Sequence, residues 1–336
     1  MTIYDISEKA GVSIATVSRV LNGSAKVSPA TRKKVLDVID ACGYAPNAFA
    51  RGLGLRSLRT IGILCADSSD LFLAKAVYYL EQTLQEHGYE SLLCCTGYHQ
   101  EVRRSYMDLI LSKKVDSIIL VGSNFIGTTG EENQYIREAS AQVPIMLLNA
   151  SYDYPNVYSI LCDDYTSMYE AAAAMLNAGI TEILYLYNSL SYSGRRKLDG
   201  FTAAVKERGI PDYERLIHRY PGDPQQMSAV ADFVAAAAEQ SPAFHGVIAS
   251  EDPLAIGAMK YAAQRGIRVP EDLSVIGYNN SMLADCCTPE LTSVDNRLKT
   301  QTHQLVQTLL RVLDGEEMPK QSVFSGKLIR RGSTIF

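Results

Sequence analysis

Beyond residue 59 the 336-residue chain alternates short apolar runs with longer amphipathic segments, and this alternation restricts its fold more than any other feature. Runs of four or five mostly apolar residues fall at 61–65, 91–95, 117–121, 145–148, 183–187, 216–220, 246–249 and 273–277. Helical spacing holds near 72–87, 101–112, 131–141, 165–178, 195–208, 226–239, 254–265 and 298–313. Several of these segments close at a glycine that leads into the next run: His87-Gly88, Ala178-Gly179, Arg208-Gly209 and Arg265-Gly266. Repeated strand–helix units predict parallel sheets covered by helices on both faces. About four units precede residue 161 and four follow it, which predicts two similar halves. Sheets of this kind bind ligands beyond the carboxyl ends of their strands, so two facing halves predict a cleft between them.

The first 59 residues follow a different pattern. Tyr4 to Ala10 carries Ile6 and Ala10 at helical spacing and stops at Gly11. Ser13 can cap a second helix in which Ala15, Val17, Val20 and Leu21 offer packing contacts. Thr16, Ser18, Arg19 and Asn22 are left as polar residues for an outside partner. Ser28-Pro29 opens a third helix, which ends at Cys42-Gly43 with Pro46 just beyond. Two helices around a tight turn, the second rich in donors, form the pattern whose second helix enters the DNA major groove.

The chain resembles the lactose-repressor (LacI/GalR) family of bacterial transcription regulators. The headpiece residues carrying the likeness are Tyr4-Asp5-Ile6, Ala10-Gly11-Val12-Ser13, Ala15 to Asn22 and Tyr44-Ala45-Pro46-Asn47. Further on they are Asp252 to Met259, Val269 to Tyr278, Leu291-Thr292-Ser293-Val294 and Arg330 to Thr334. The likeness implies an all-α helix-turn-helix headpiece at 1–46, a hinge helix and linker at 47–59, and an effector-binding and dimerisation domain at 60–336. That domain would be an α/β, two-lobed, periplasmic-binding-protein-like body with two parallel doubly wound sheets. The expected lobes are 60–161 with 291–320, and 162–290 with 321–336. Three crossings between them are expected, near Leu161–Asp163, Cys287–Ser293 and Met318–Ser322.

Charge is divided as such a molecule requires. The whole chain carries −5, but residues 1–59 hold nine basic and four acidic side chains, so that part is +5 and the remainder −10. A basic end on an acidic body suits one that meets phosphates and one that does not. No run of about 18 apolar residues occurs, so no membrane span is expected, and no secretory signal opens the chain. Seven cysteines, odd in number and without a CxxC pair, predict neither a zinc site nor a disulfide framework. The expectation is a cytoplasmic protein with reduced thiols and no cofactor.

In the headpiece, Ile14, Ala15 and Arg19 are the positions aimed at base edges. Ile14 can offer apolar contact to a thymine methyl, and Arg19 can pair with guanine. Tyr4, Ser13, Ser18, Asn22 and Ser28 would fix register on the backbone, while Thr16 supports the helix. The hinge segment at 47–55 contains Gly52 and Gly54, each disfavouring helix by roughly 1 kcal/mol relative to alanine. Asn47 can cap a short helix there; the likeness implies that the segment orders when two subunits dock on operator DNA, with Asn47 and Ala50 among its DNA-binding residues and Leu53 wedged into the minor groove. The Gly52-x-Gly54 pair precedes a strand rather than following one, which excludes a dinucleotide fingerprint.

For the cleft, the likeness points to Lys197, three residues before Gly200-Phe201, and to Glu251, just before Asp252. It also points to Asn279 after Gly-Tyr and Asn149 after the fourth strand, with Phe72 and Tyr192 offering apolar faces. Sugar-responsive members place Arg, Asn and Asp at the first three positions. Lysine is a flexible point charge without the guanidinium fork, so recognition of a vicinal diol is weakened. The formal charge over the three positions is nevertheless unchanged. A small polar effector, a sugar or derivative, is expected, and Glu251 accommodates a neutral or an amine-bearing one. Two headpieces on a homodimer predict a near-palindromic operator. The family reading is a transcriptional regulator, more often a repressor. Its alternatives are the same regulator with a vestigial cleft or a protein coregulator, and a solute-binding protein without gene control. An α/β enzyme is disfavoured: there is no P-loop, G-x-S-x-G or HExxH, and the five histidines are scattered.

Overall fold

The computed structural model describes residues 2–21, 24, 26–43, 57–241 and 243–336. Its first three helices are α1 (Ile3–Ala10), α2 (Ile14–Leu21) and α3 (Pro29–Ala41). A capping box opens α1: Asp5 N–H donates to Thr2 Oγ1, and Thr2 N–H donates to Asp5 Oδ2. Gly11 ends it in the left-handed conformation at φ 57°, which glycine adopts without steric cost. Ile6, Ala10, Val17, Val20, Val35 and Ile39 form a small core among the three helices.

The segment entering the body is pinned by Asp116, whose carboxylate accepts from the backbone N–H groups of Leu58 and Thr60 at 3.1 and 2.9 Å. The first half then runs β1 (Thr60–Cys65), α4 (Leu71–Glu86), β2 (Glu90–Cys95), α5 (Gln100–Ser112), β3 (Ser117–Val121), α6 (Gln134–Ser140), β4 (Ile145–Leu148) and β5 (Val157–Cys162). The second runs α7 (Asp164–Asn177), β6 (Ile183–Tyr187), α8 (Tyr192–Glu207), β7 (Ile217–Arg219), α9 (Met227–Gln240), β8 (Gly246–Ala249), α10 (Asp252–Arg265), β9 (Ser274–Tyr278), α11 (Met282–Cys286) and β10 (Thr292–Asp295). The chain ends with α12 (Leu298–Leu313), β11 (Gln321–Phe324) and β12 (Lys327–Ile329). Among the described residues, no helix is long and apolar enough to cross a membrane.

Two six-stranded sheets result, ordered β11-β5-β4-β3-β1-β2 and β12-β10-β9-β8-β6-β7. Every pairing is parallel except β10 with β12. The two-residue period of a strand sends alternate side chains into two cores on opposite faces. In β1, Ile61, Ile63 and Cys65 join the core containing Leu80 and Leu305, whereas Leu64 joins the one containing Met107 and Phe125. In the second sheet, Leu184 and Leu186 face Val230 and Leu254, while Ile183 and Tyr185 face Met168 and Phe201. Helices therefore cover both faces of both sheets, the doubly wound α/β arrangement expected from the sequence.

Two of the expected crossings move. Thr292, Ser293 and Val294 pair with Ile276, Gly277 and Tyr278, so 291–295 belongs with the second sheet and the chain crosses at 296–297. Gln321–Phe324 pairs with Ser159–Cys162, so these residues extend the first sheet and the last crossing falls at 325–326. In each case a short strand satisfies its backbone groups before the chain passes over, β10 between β9 and β12 and β11 on the edge beside β5. The first crossing lies beside Cys162 and Asp163, where β5 ends. Strand β5 itself departs from the strict alternation, because an eight-residue connection without a helix joins it to β4.

Candidate functional site

The chain presents two candidate sites, one on the headpiece and one between the sheets. On α2, Val17 and Val20 turn into the headpiece core. Ile14, Ala15 and Arg19 are exposed on the opposite side, and Ser18 is half-buried beside them. Spacings of one, four and five residues place these four on one helical face. Ala15, read from the sequence as a packing residue as well as a base-edge one, makes no part of the core. Ser13 caps the helix, accepting from Thr16 N–H at 3.2 Å, and its hydroxyl pairs with that of Thr16 at 2.9 Å. Thr16 is thereby engaged within the helix start. Ser28 caps α3 in the same way, accepting from Thr31 N–H at 3.2 Å, and Tyr4 is 67% exposed on α1. Asn22, Asn47, Ala50 and Leu53 lie outside the described residues.

A cavity of about 490 Å³ lies between the two sheets, a size ordinary for small-ligand sites. Its wall is made by the segments that follow strands. Asp67, Asp70 and Phe72 come after β1, Ser123 and Asn124 after β3, and Asn149 after β4. From the second sheet come Asn188 and Ser191 after β6, Asp223 after β7, Ser250 and Glu251 after β8, and Asn279 after β9. The carboxyl ends of both sheets thus converge on one space, as the strand–helix order requires. The hydroxyls of Ser123 and Ser191 meet across it at 2.8 Å.

Of the residues expected from the sequence, Phe72, Asn149, Lys197, Glu251 and Asn279 line this cavity. Tyr192 does not. It packs instead against the core of the first sheet around Phe125, because Ser191 caps α8 by accepting from Gly194 N–H and starts the helix three residues earlier than the spacing predicts. Tyr192 is consequently a packing residue at the first helical position.

Lys197 is only 7% exposed. Its Nζ donates to the Ser250 carbonyl at 3.0 Å and stands 3.8 Å from the centre of the Tyr278 ring, a cation–π geometry. The Tyr278 hydroxyl in turn donates to Asp164 at 2.6 Å. Burial raises the Asp164 carboxyl, and the nearby Lys197 charge draws it back. A tight helix crossing sets this geometry: a Cβ at Gly200 would lie only 2.2 Å from the Tyr165 carbonyl oxygen. Lysine here is therefore fastened to its own lobe more firmly than its flexibility suggests.

Glu251 precedes α10 and makes no capping bond. Its Oε1 is sealed from solvent without a hydrogen-bond partner. Burial, then the neighbouring charge of Asp70, pushes its carboxyl up to about 7, against the pull of Lys197. Its neighbour Asp252 has a different task. It is fully buried, accepting from the Ser293 hydroxyl and the Ser281 N–H at 2.6 Å each, and so ties α10 to the loop after β9 and to β10. Asn149, at φ 64°, keeps an unpartnered Oδ1. Asn279, at φ 92°, accepts from Asn296 Nδ2 at 3.0 Å. Asp67, Asp70, Tyr98 and Asp223 also line the cavity. Sequence reasoning missed them, although applying the strand-end rule to every strand rather than to the family's motif positions would have reached those following β1 and β7.

Comparison with known proteins agrees with this division. Residues 2–47 match the model of the lacI family of bacterial regulatory proteins, and residues 172–334 match a periplasmic binding protein-like domain. An HTH-type transcriptional regulator of Lachnoclostridium phytofermentans is 48% identical over the full length of both chains. The HTH-type transcriptional regulator AscG of Escherichia coli is 32% identical, covering 99% of this chain and 98% of its own. Among solved structures, the lac repressor dimer bound to operator and the anti-inducer ONPF superposes with a TM-score of 0.87. It covers 100% of this chain and 99% of that one at 23% identity, a likeness of fold. The chain belongs to the lacI family of bacterial regulatory proteins, and is a DNA-binding transcriptional regulator rather than an enzyme.

Proposed function

We propose that the protein is a repressor that binds a near-palindromic operator as a homodimer and is switched by a small polar effector, a sugar or sugar derivative, held between its two lobes. The observation carrying this reading is the cavity at the strand ends of both sheets, whose wall includes two buried oxygens, on Asn149 and Glu251, without partners. An unsatisfied buried acceptor is costly, so a ligand supplying donors there gains binding energy. A ligand that touches both lobes has different affinities for their open and closed arrangements, and only that difference can move DNA affinity, typically by about 1–3 kcal/mol. The relatives' solved structures include a CelR–cellobiose complex, which supports a sugar-like ligand.

Ile14, Ala15 and Arg19 would read base edges, with Tyr4, Ser13, Ser18, Asn22 and Ser28 setting register on the backbone. Thr16 supports the helix, and Asn47, Ala50 and Leu53 would act from the hinge. For dimerisation, the first sheet ends on β2, an edge strand with Leu92 and Leu93 38% and 41% exposed. An edge strand left apolar and open invites pairing with a second chain. The test is selection of fragments of the source genome by the purified protein. One recurring two-fold-symmetric motif, bound with a steep salt dependence, is expected. Sequence-independent recovery of fragments would refute the reading.

A further inference from the structure

The cavity is charged unevenly across the gap between the lobes. Asp70 stands at the start of α4 in the first lobe, where Oδ1 accepts from Leu73 N–H at 2.8 Å. Glu251 stands at the start of α10 in the second. Both line the cavity and the narrow recess beside Phe72 and Tyr278. They are near enough that the charge of Asp70 follows burial as the main cause of Glu251's elevated titration. Burial also raises Asp70, with Asp67 adding to it. Asp67 and Asp223 line the same space.

The positive side of the wall answers them only in part: the Lys197 charge draws both Asp70 and Glu251 down, but burial outweighs it and both stay raised. Lys197 is committed to the Ser250 carbonyl, the Tyr278 ring and the field of Asp164. Arg219 is exposed, and its Nε donates to the Asn188 carbonyl. Besides Ser193 Oγ, the described residues lining the cavity leave an acceptor without a partner in each lobe, Asn149 Oδ1 at a residue 7% exposed and Glu251 Oε1. A neutral polyol could donate to both, yet would not offset the crowding of two carboxyls that holds a proton on Glu251 up to about pH 7. A ligand nitrogen bearing a proton supplies donors and the missing charge together.

We propose that the effector carries a cationic nitrogen on a small polyhydroxylated frame, as an amino sugar does, and that this ammonium seats between Asp70 of one lobe and Glu251 of the other. The proposal rests on the reading of the cavity as the effector site and names the chemical class it takes. Without ligand, ionising Glu251 beside Asp70 opposes closure of the cleft. With the ammonium between them, the same two groups draw the lobes together, which gives the ligand its preference for the closed arrangement.

The test is titration calorimetry of the full chain with matched probes: glucose, glucosamine and N-acetylglucosamine, the galactose counterparts, and the β-1,4-linked dimers of the glucose series. In at least one series the amine should bind on the order of 10- to 100-fold tighter than its neutral and acetylated partners. Glu251→Gln and Asp70→Asn should each reduce that ratio to near one. Asparagine still caps α4, and circular dichroism melts establish that both variants fold. Neutral or acetylated members binding as well as the amine, or a preference that survives both substitutions, would overturn the ammonium while leaving the cavity as an effector site. Absence of binding by every probe overturns the amino-sugar proposal and counts against the effector reading as well.

Discussion

Replacing Glu251 by glutamine removes a charge that the folded chain tolerates poorly, and the stability gained should depend on pH with a defined sign. The carboxyl titrates near 4.5 in an unconstrained chain and is pushed up to about 7 in the fold, chiefly by burial and next by Asp70. Asp252 and Asp223 add to the rise, Lys197 opposes it, and Tyr98 faces the same group. Between pH 4.5 and 7 the folded state therefore retains a proton that the unfolded state has released. Stability falls with rising pH through that window, and the loss is complete above pH 7. The interval corresponds to about 3 kcal/mol, an upper figure because water in the cavity screens part of it. A gain of about 1–3 kcal/mol for Glu251→Gln at pH 8, shrinking toward zero near pH 5, is the expected result. The assay is urea denaturation at pH 5, 6, 7 and 8. Because the chain has 20 tyrosines and no tryptophan, far-ultraviolet dichroism and tyrosine emission are the probes. A difference between variant and wild type that is the same at pH 5 and pH 8, or a wild type more stable at pH 8, would refute the electrostatic account.

Three further outcomes are expected. Lys197→Met leaves the buried Ser250 carbonyl without its donor and should cost about 1–3 kcal/mol in denaturant unfolding; unchanged stability would show the 3.0 Å bond to be dispensable. Arg19→Ala should lower specific operator affinity by about 1–3 kcal/mol and relax preference at one base pair, as measured by competition binding with single-base operator variants; unaltered discrimination removes Arg19 from base reading. Leu53→Ala should weaken specific binding far more than nonspecific binding, measured by fluorescence anisotropy on operator and scrambled duplexes, and equal losses on both count against a minor-groove wedge.

Much of the fold was legible because its main elements announce themselves locally. Runs such as Ser117–Val121 and Gly246–Ala249 are buried along their whole length, so apolar continuity alone marks them as central strands. Helix starts at Ser28, Asp70 and Ser191 carry side chains that cap the first turn. The strands that escaped notice, four-residue Thr292–Asp295 among them, are of other kinds. Val157–Cys162 follows β4 without a helix, against the alternation used to find the rest. Gln321–Phe324 and Lys327–Ile329 are short edge strands with exposed alternate residues, and their conformation is fixed by pairing with residues up to about 160 positions away. That distance is also why the last crossing was misplaced, whereas the one before it moved because Thr292–Val294 pairs with nearby Ile276–Tyr278.

The candidate site divides in the same way. Sequence by itself determined the headpiece face of Ile14, Ala15, Ser18 and Arg19, because one helix sets which residues share a side. It also determined that strand ends would form the cleft, and which motif positions would stand there. Only the tertiary structure decided that Tyr192 turns away into packing, that Lys197 is tethered by Ser250 and Tyr278, and that Asp70 and Glu251 face one cavity from opposite lobes. The physical reason is that spacing along a chain fixes neighbours within an element, whereas the field felt by a buried charge is made by groups that folding alone brings near.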